Sequence, residues 1–237
     1  MKILCLALNS RYVHSNLALG YLVELGRREG HEVDLKEYTI NMNLREILLD
    51  SDFESYEVIC LSAYIWNGRQ LLDLLKDMRK VHPKAIYLLG GPEASSSVHS
   101  YLPFCDGVIM GEGETPFKHF LAHADEPEKW IGISYGKHLA PMHREEVLDF
   151  AYPYFQLQGH QIIYYESQRG CPFGCSYCMS GSTGVRYRPM GLVKKDLQVF
   201  IEQEVPLVKF VDRSFNINLP RALEMISFIN KMDRGKT

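Results

Sequence analysis

Three cysteines crowd into eight residues of this chain, in the run Ser167-Gln168-Arg169-Gly170-Cys171-Pro172-Phe173-Gly174-Cys175-Ser176-Tyr177-Cys178. The spacing is C-x3-C-x2-C, and Cys171, Cys175 and Cys178 are the candidate metal ligands. Three thiolates on one short loop can hold three irons of a cubane 4Fe-4S cluster and leave the fourth iron open to a substrate. Gly170 and Gly174 let the backbone turn without a Cβ clash, and Pro172 limits the loop's freedom. Other readings stand beside this one. Structural zinc needs a fourth ligand, from His160 or a distant cysteine. An electron-transfer ferredoxin cluster normally uses four cysteines, and no fourth lies at its spacing. Cysteine can also be simply a small core residue.

The remaining cysteines, Cys5, Cys60 and Cys105, are dispersed, as expected of core thiols in a reducing compartment rather than of a disulfide scaffold. With 46% hydrophobic and 23% charged residues, the 237-residue chain is neither disordered nor collagen-like, and it is long enough for about one and a half domains of roughly 150 residues. A net charge of −3 gives no field that would draw nucleic acid or an anionic membrane. No apolar run approaches the ~18 to 20 residues of a bilayer crossing, and Lys2 to Leu8 is too short and wrongly flanked for a signal peptide. A cytoplasmic location without membrane partners is the expectation.

Residues 1–135 alternate short apolar runs with amphipathic stretches, the pattern of a parallel sheet wrapped by helices. Strands are expected at Lys2 to Leu8, Glu32 to Tyr38, Glu57 to Ser62, Ala85 to Gly90 and Gly107 to Met110. Helices are expected at Leu17 to Arg28, Arg69 to Val81 and Thr115 to Ala124, with shorter ones at Leu44 to Asp50 and Ala94 to Tyr101. Five strands in βα alternation fit an α/β, flavodoxin-like, doubly wound domain, whose ligand sits beyond the carboxyl ends of the strands. Residues 136–160 lose both periodicities and read as a linker. A second unit over 161–237 then reads as a strand at Gln161 to Glu166, the cysteine loop, a helix at Leu192 to Gln203, a strand at Leu207 to Val211, and a helix opened by Pro220. Those 77 residues hold two βα units, where even six would want roughly 180. The expectation is an incomplete (β/α) barrel, either the front part of a longer protein or one whose exposed strand edge a partner covers.

At the cysteine loop the chain resembles the radical S-adenosylmethionine (SAM) superfamily, whose signature is this spacing with an aromatic before the last cysteine, after the first strand of a partial (β/α) barrel. The resemblance implies that SAM chelates the open iron and that one electron from the reduced cluster cleaves it to methionine and a 5′-deoxyadenosyl radical. A small electron-transfer protein, a flavodoxin or ferredoxin, is implied as a partner. By the same resemblance Tyr177 lies against the adenine. The end of the second strand, Val211-Asp212-Arg213-Ser214-Phe215-Asn216, lacks the family's Gly-Gly-Glu-like motif for the SAM amino group. Asp212 is the substitute carboxylate, with Ser214 beside it as a further SAM contact; an ion pair with Arg213 or a capping role is the alternative for Asp212.

A flavodoxin-like domain ahead of such a core resembles the cobalamin-binding subclass, of the type of the anaerobic magnesium-protoporphyrin ester cyclase and many methyltransferases. The loops that enclose the corrinoid there correspond to Ser62-Ala63-Tyr64 after the third strand, with Tyr where the family has Leu, and to Gly90-Gly91-Pro92-Glu93 after the fourth. Gly90 and Gly91 would let a nucleotide tail approach the backbone, unless they only make the strand-to-helix turn. Gly111-Glu112-Gly113-Glu114 follows the fifth strand ahead of Thr115, suited to an N-cap, and Pro116. It lacks the third glycine of a dinucleotide fingerprint, and its carboxylates would repel a pyrophosphate, but they can accept hydrogen bonds from corrin amides. His14 is the candidate cobalt-side histidine, yet Tyr12 stands two before it and Leu17 three after, so the Asp-x-His-x-x-Gly motif is absent and a loop-capping histidine is the alternative.

The leading expectation is a cobalamin-dependent radical SAM enzyme that methylates, cyclises or rearranges a substrate at an unactivated carbon. Its rivals are a radical SAM enzyme whose first domain binds no corrinoid, and a non-catalytic iron–sulfur-binding fragment. His119 and His123 lack the adjacent glutamate of a zinc peptidase, and Ser95 to Ser97 lack a partnered base.

Overall fold

A computed structural model of the chain describes residues 1–50, 52–157, 162–178, 183–233 and 235–237. Two units are present: Met1–Tyr12 with Asn16–Glu145, and Val13–Ser15 with Glu146–Thr237.

The first unit runs β1 (Lys2–Asn9), α1 (Leu17–Arg28), β2 (Glu32–Thr39), α2 (Leu44–Asp50), β3 (Val58–Ser62), α3 (Gly68–Val81), β4 (Ile86–Gly90), α4 (Pro92–Ser96), α5 (Val98–Tyr101), β5 (Gly107–Ile109), α6 (Glu114–Ala122) and β6 (Ile133–Ser134). The strands lie in the order β2-β1-β3-β4-β5-β6, parallel except for β6, which runs antiparallel to β5. This is a doubly wound α/β sheet, with its chain reversal between β1 and β3. Ile3 to Leu8 and Val58 to Leu61 are buried on both faces, the reason these strands read as unbroken apolar runs. On one face Leu4, Leu6, Leu8, Ile59, Leu61 and Leu89 meet Leu71, Leu74, Leu75 and Met78 of α3. Each of those four α3 side chains is fully buried at helical spacing, a gain of about 1.5–3 kcal/mol apiece. Cys5 and Cys60, both buried, stand in register on β1 and β3 and alternate with Leu4, Leu6, Ile59 and Leu61 toward the other face of the sheet.

Local chemistry sets the helix ends. Asn16 caps α1 by accepting from Leu19 N at 3.0 Å, and Gly30, at φ +86°, lets the chain turn into β2. The expected Ala94 to Tyr101 helix is instead two short ones, α4 and α5, broken at Ser97 (φ −122°, ψ 37°) in a run of three serines, where Ser96 Oγ donates to Glu93 O. The helix expected from Thr115 begins one residue earlier. Gly113 occupies the cap position, and Thr115 lies within the first turn. Residues 133–145, part of which reads from sequence as a linker, bear β6 and a parallel bridge between Gly111 and His143.

The second unit contains β7 (Ile163–Tyr165), β8 (Gln168–Arg169), β9 (Arg186–Tyr187), α7 (Met190–Glu202), β10 (Val208–Phe210) and α8 (Leu219–Met232). β10 pairs in parallel with β7, and β8 with β9 as an antiparallel ribbon that sequence periodicity does not reveal. Of the strand expected over Gln161 to Glu166, Gln161 lies outside the described residues, as does His160. Tyr152, Tyr165 and Phe200 form an aromatic centre with ring centroids 5.0–5.6 Å apart. Beside it Arg188, 2% exposed, donates from Nε to Asp196 Oδ2 at 3.0 Å and from Nη1 to Phe150 O at 2.7 Å. Asp196, equally buried, also accepts from Tyr165 and Tyr154. No helix among the described residues is long and apolar enough to cross a membrane.

Candidate functional site

In the first unit the candidate residues gather at the carboxyl ends of β3, β4 and β5. Asn67, 1% exposed, builds the β3 loop from behind. Its Oδ1 accepts from Tyr64 N at 2.7 Å, and its Nδ2 donates to Leu8 O and Ser62 O, each at 3.0 Å. Those bonds tie the loop to the ends of β1 and β3, on either side of the reversal. The tip is left outward: Ile65 is 86% exposed, and the rings of Tyr64 and Trp66 stack at 4.5 Å and 8°. The β4 loop is latched to the same turn. Ala63 N donates to Gly90 O at 2.8 Å, and Glu93 N donates to Ala63 O at 3.2 Å. Gly91 has φ +98° and ψ 165°, and a Cβ there would fall 2.4 Å from Ala63 O. Only glycine fits such an approach in such a conformation. A Cβ at Gly90 would meet nothing nearer than Ile109 Cβ at 3.8 Å. The sequence treats the two glycines alike; the structure separates them. Pro92 takes the first turn of α4, and the Glu93 side chain lies toward Gly68, whose added Cβ would be 3.2 Å from Glu93 Cγ.

The third segment is pinned from the far side. Gly111, at φ +87°, donates through its N–H to Ser95 Oγ at 3.1 Å, and a Cβ on it would sit 2.4 Å from His143 O. Glu112 Oε2 accepts from Glu145 N at 2.9 Å. Glu145 in turn accepts from Thr115 N and Thr115 Oγ1, both at 2.7 Å, so a carboxylate 30 residues away caps α6 in place of the threonine. Gly113 borders Ile109 and Leu22, and Glu114 is buried. Thus Ser62, Ala63 and Tyr64 are brought directly against Gly90, Gly91, Pro92 and Glu93, while Gly111 to Glu114 are held by Ser95, His143 and Glu145. Asn67, Trp66, Ser95 and Glu145 are the residues sequence reading missed. Asn67 alone left a local signal, as an asparagine just ahead of an amphipathic helix. His14 belongs to the second unit, where its Nδ1 pairs with Tyr164 Oη at 2.6 Å.

The second unit carries the thiols. Gly170, at φ +90°, opens the loop, and a Cβ on it would fall 1.9 Å from Gly184 O. Cys171 N donates to Thr183 Oγ1 at 3.2 Å, and Thr183 N returns a bond to Cys171 O at 3.1 Å. Cys171 Sγ lies 3.4 Å from Ser214 Oγ. That hydrogen bond, then the Phe173 N–H and nearby Arg213, holds the Cys171 thiol below its ordinary pKa. Cys178 N donates to Cys175 O at 3.0 Å, a turn that joins these two exposed cysteines. Tyr177 between them is 90% exposed. Asp212, read from sequence as an ammonium acceptor, is occupied: Oδ1 accepts from Ser167 N at 2.8 Å and Gln168 N at 3.1 Å, and Oδ2 from Ser167 Oγ at 2.6 Å. Burial raises its pKa against the pull of those bonds and of Arg221. The dispersed cysteines differ in kind. Cys60 is pushed well up by its bond with Cys5 and by burial, and burial pushes Cys105 up to about 12.

Both donor sets suit the groups the sequence suggests. Free thiols at Cys171, Cys175 and Cys178, with glycine at the hinge, match three-point iron ligation in kind and number, although among the described residues no three metal-ligating side chains converge. The Tyr64–Trp66 stack, with Trp66 exposed and Tyr64 half-buried, and the uncrowded backbone of Gly90 offer an aromatic face and a bare backbone, the contacts a flat macrocycle with an extended tail can use.

The chain is 26% identical over 197 residues to the 2-(S-pantetheinyl)-carbapenam-3-carboxylate methyltransferase of Streptantibioticus cattleyicolor, covering 71% of this chain and 29% of that protein. It is 25% identical over 222 residues to the hopanoid C-3 methylase of Methylococcus capsulatus, covering 81% and 43%. The chain therefore spans less than half the length of these relatives. Among solved structures, the cobalamin-dependent S-adenosylmethionine radical enzyme OxsB superposes with a TM-score of 0.74 at 17% identity, over 97% of this chain and 36% of that one. The radical S-adenosylmethionine methyltransferase TsrM of Kitasatospora setae gives 0.72 at 15%, over 98% and 53%. These likenesses establish the fold. The B12 binding domain model matches residues 3–121, the stretch that holds β1 to β5 and the loops just described, and the chain belongs to that family.

Proposed function

We propose that the chain is part of a cobalamin-dependent radical SAM methyltransferase, in which the first unit holds the corrinoid and the Cys171–Cys178 loop holds a 4Fe-4S cluster with SAM on its open iron. One observation carries this reading: a B12-binding domain is followed in the same chain by three free thiols at C-x3-C-x2-C spacing, beyond the first strand of a parallel βα unit. When bound, such a cluster supplies one electron to SAM, and the corrinoid supplies a transferable methyl group. The residues' own tasks are positional. Asn67 and Gly91 fix the turn on which the Tyr64–Trp66 face is displayed, and Asp212 fixes the start of the cysteine loop. Tyr177, exposed between Cys175 and Cys178 in the chain, has its ring free to lie along the adenine. The electron comes from a small flavodoxin or ferredoxin. Methylation is favoured over cyclisation because the curated relatives named above are methylating proteins.

The test is anoxic reconstitution of the chain with iron, sulfide and hydroxocobalamin, followed by metal analysis and visible spectroscopy. Four irons and one corrinoid per chain support the reading. Stoichiometric zinc without iron sinks the radical chemistry, and a cluster without retained corrinoid favours a first domain that serves as a scaffold.

A further inference from the structure

The three candidate ligands are not equivalent. Cys175 and Cys178 lie exposed, whereas Cys171 is half-buried, with Ser214 Oγ 3.4 Å from its sulfur and the Phe173 N–H directed at the same atom. In the free thiol either Sγ or Oγ could be the donor. A cysteine sulfur bonded to iron has no proton to give, so with metal bound the hydroxyl must donate to sulfur. Ser214 is also not free to drift. Its carbonyl accepts from Gln168 Nε2 at 2.7 Å and from Ile217 N at 3.0 Å, and Gln168 is itself 1% exposed. Two residues earlier, Asp212 bonds the backbone of Ser167 and Gln168, where the cysteine loop begins. The segment after β10 is thereby fastened to the start of β8 at several points, and the Ser214 hydroxyl is delivered to one sulfur of the three.

We infer that Ser214 is a positioning residue for the cluster, donating a hydrogen bond to the Cys171 thiolate and making the cluster easier to reduce. The inference rests on the cluster reading above and gives Ser214 a role other than the SAM contact its sequence position suggests. A donor on a ligating sulfur draws electron density from it and so offsets the charge added on reduction, which raises the potential. Among the described residues the side-chain donor is directed at the Cys171 sulfur.

The experiment compares the wild-type chain, Ser214→Ala and Ser214→Thr, each reconstituted anoxically without SAM. Iron and sulfide are counted, and the midpoint potential is then read by electron paramagnetic resonance during a redox titration. The expected result is full iron content in all three, about a tenfold fall in the reduced-to-oxidised ratio at fixed potential for Ser214→Ala (59 mV for one electron), and a wild-type value for Ser214→Thr. Equal potentials in Ser214→Ala and wild type overturn the inference while leaving the cluster intact. In a separate titration of the reconstituted chains with SAM, weaker binding by Ser214→Ala with no change of potential overturns it in favour of a direct SAM contact. A wild-type chain that takes up no iron overturns the cluster reading, and the inference falls with it.

Discussion

Replacing Gly91 by alanine, with Gly90→Ala as its partner, separates what the protein needs from what a ligand needs at the β4 loop. At Gly91 the backbone sits at φ +98° and ψ 165°, a region essentially reserved for glycine, and holding alanine there costs roughly 1–3 kcal/mol. The new Cβ would also fall 2.4 Å from Ala63 O, a backbone atom that cannot rotate away. Relief requires Ala63 to move, straining its bonds with Gly90 O and from Glu93 N, each worth about 0.5–1.5 kcal/mol. The sum is about 3 kcal/mol, or a fall of roughly 6–12 °C in Tm for a chain of this size. Gly90 differs: its φ is unexceptional and its Cβ would meet only Ile109 Cβ at 3.8 Å, so alanine there leaves Tm unchanged or raises it slightly. If a corrinoid tail runs over that bare backbone, the same methyl overpacks it by about 1–3 kcal/mol, a loss of roughly 5- to 150-fold in affinity. Thermal melts by circular dichroism and spectroscopic titration with hydroxocobalamin read the two effects. A Gly91→Ala chain that melts with wild type refutes the latch argument, and wild-type cobalamin affinity in Gly90→Ala removes the tail from this turn.

In the second unit, Arg188→Met strands the buried Asp196 carboxylate without its cation and should cost about 3–5 kcal/mol, read as faster hydrogen exchange across α7. Pairing it with Asp196→Leu should recover only part of that loss, because the Tyr154 and Tyr165 hydroxyls then lose their acceptor, and no recovery at all would mean the stranded charge is not the source. Asp212 gives a pH signature. Burial raises its carboxyl above the 3.8 of an unperturbed aspartate, so the folded chain binds the proton more tightly than the unfolded one. Its contribution to stability therefore grows as pH falls from above the raised value toward 3.8 and levels off below that. Asp212→Asn keeps an acceptor for Ser167 N and Gln168 N but cannot titrate, so urea midpoints should show wild type gaining on the variant as the solution is acidified. A flat or opposite trend contradicts this account of the loop's anchor.

The unequal legibility of the chain has a physical origin. β1, β3 and α3 could be read because two-sided burial and a helical stripe each leave a periodic trace in neighbouring residues. β8 and β9 left none: each is two residues long, and their pairing joins Gln168 to Tyr187 across the cysteine loop. The break at Ser97 was present in the serine run but was overridden by the apolar residues around it. Sites divide the same way. The thiols announce themselves because three cysteines stand at close spacing in the sequence, whereas the groups that aim the loops act over long separations. Asn67 reaches Leu8, Glu145 reaches Thr115, Asp212 reaches Ser167, and Ser214 reaches Cys171. None of those pairs lies within one element, so no local period encodes it. These four side chains are spent on backbone, on neighbouring hydroxyls or on sulfur within the protein, and what the loops present outward includes exposed thiols and an aromatic ring. An arrangement of that kind sets the position of its bound groups and leaves the bond-making to them, which is why loss of a pinning residue should register first as a shifted potential or a weakened affinity while the secondary structure stays in place.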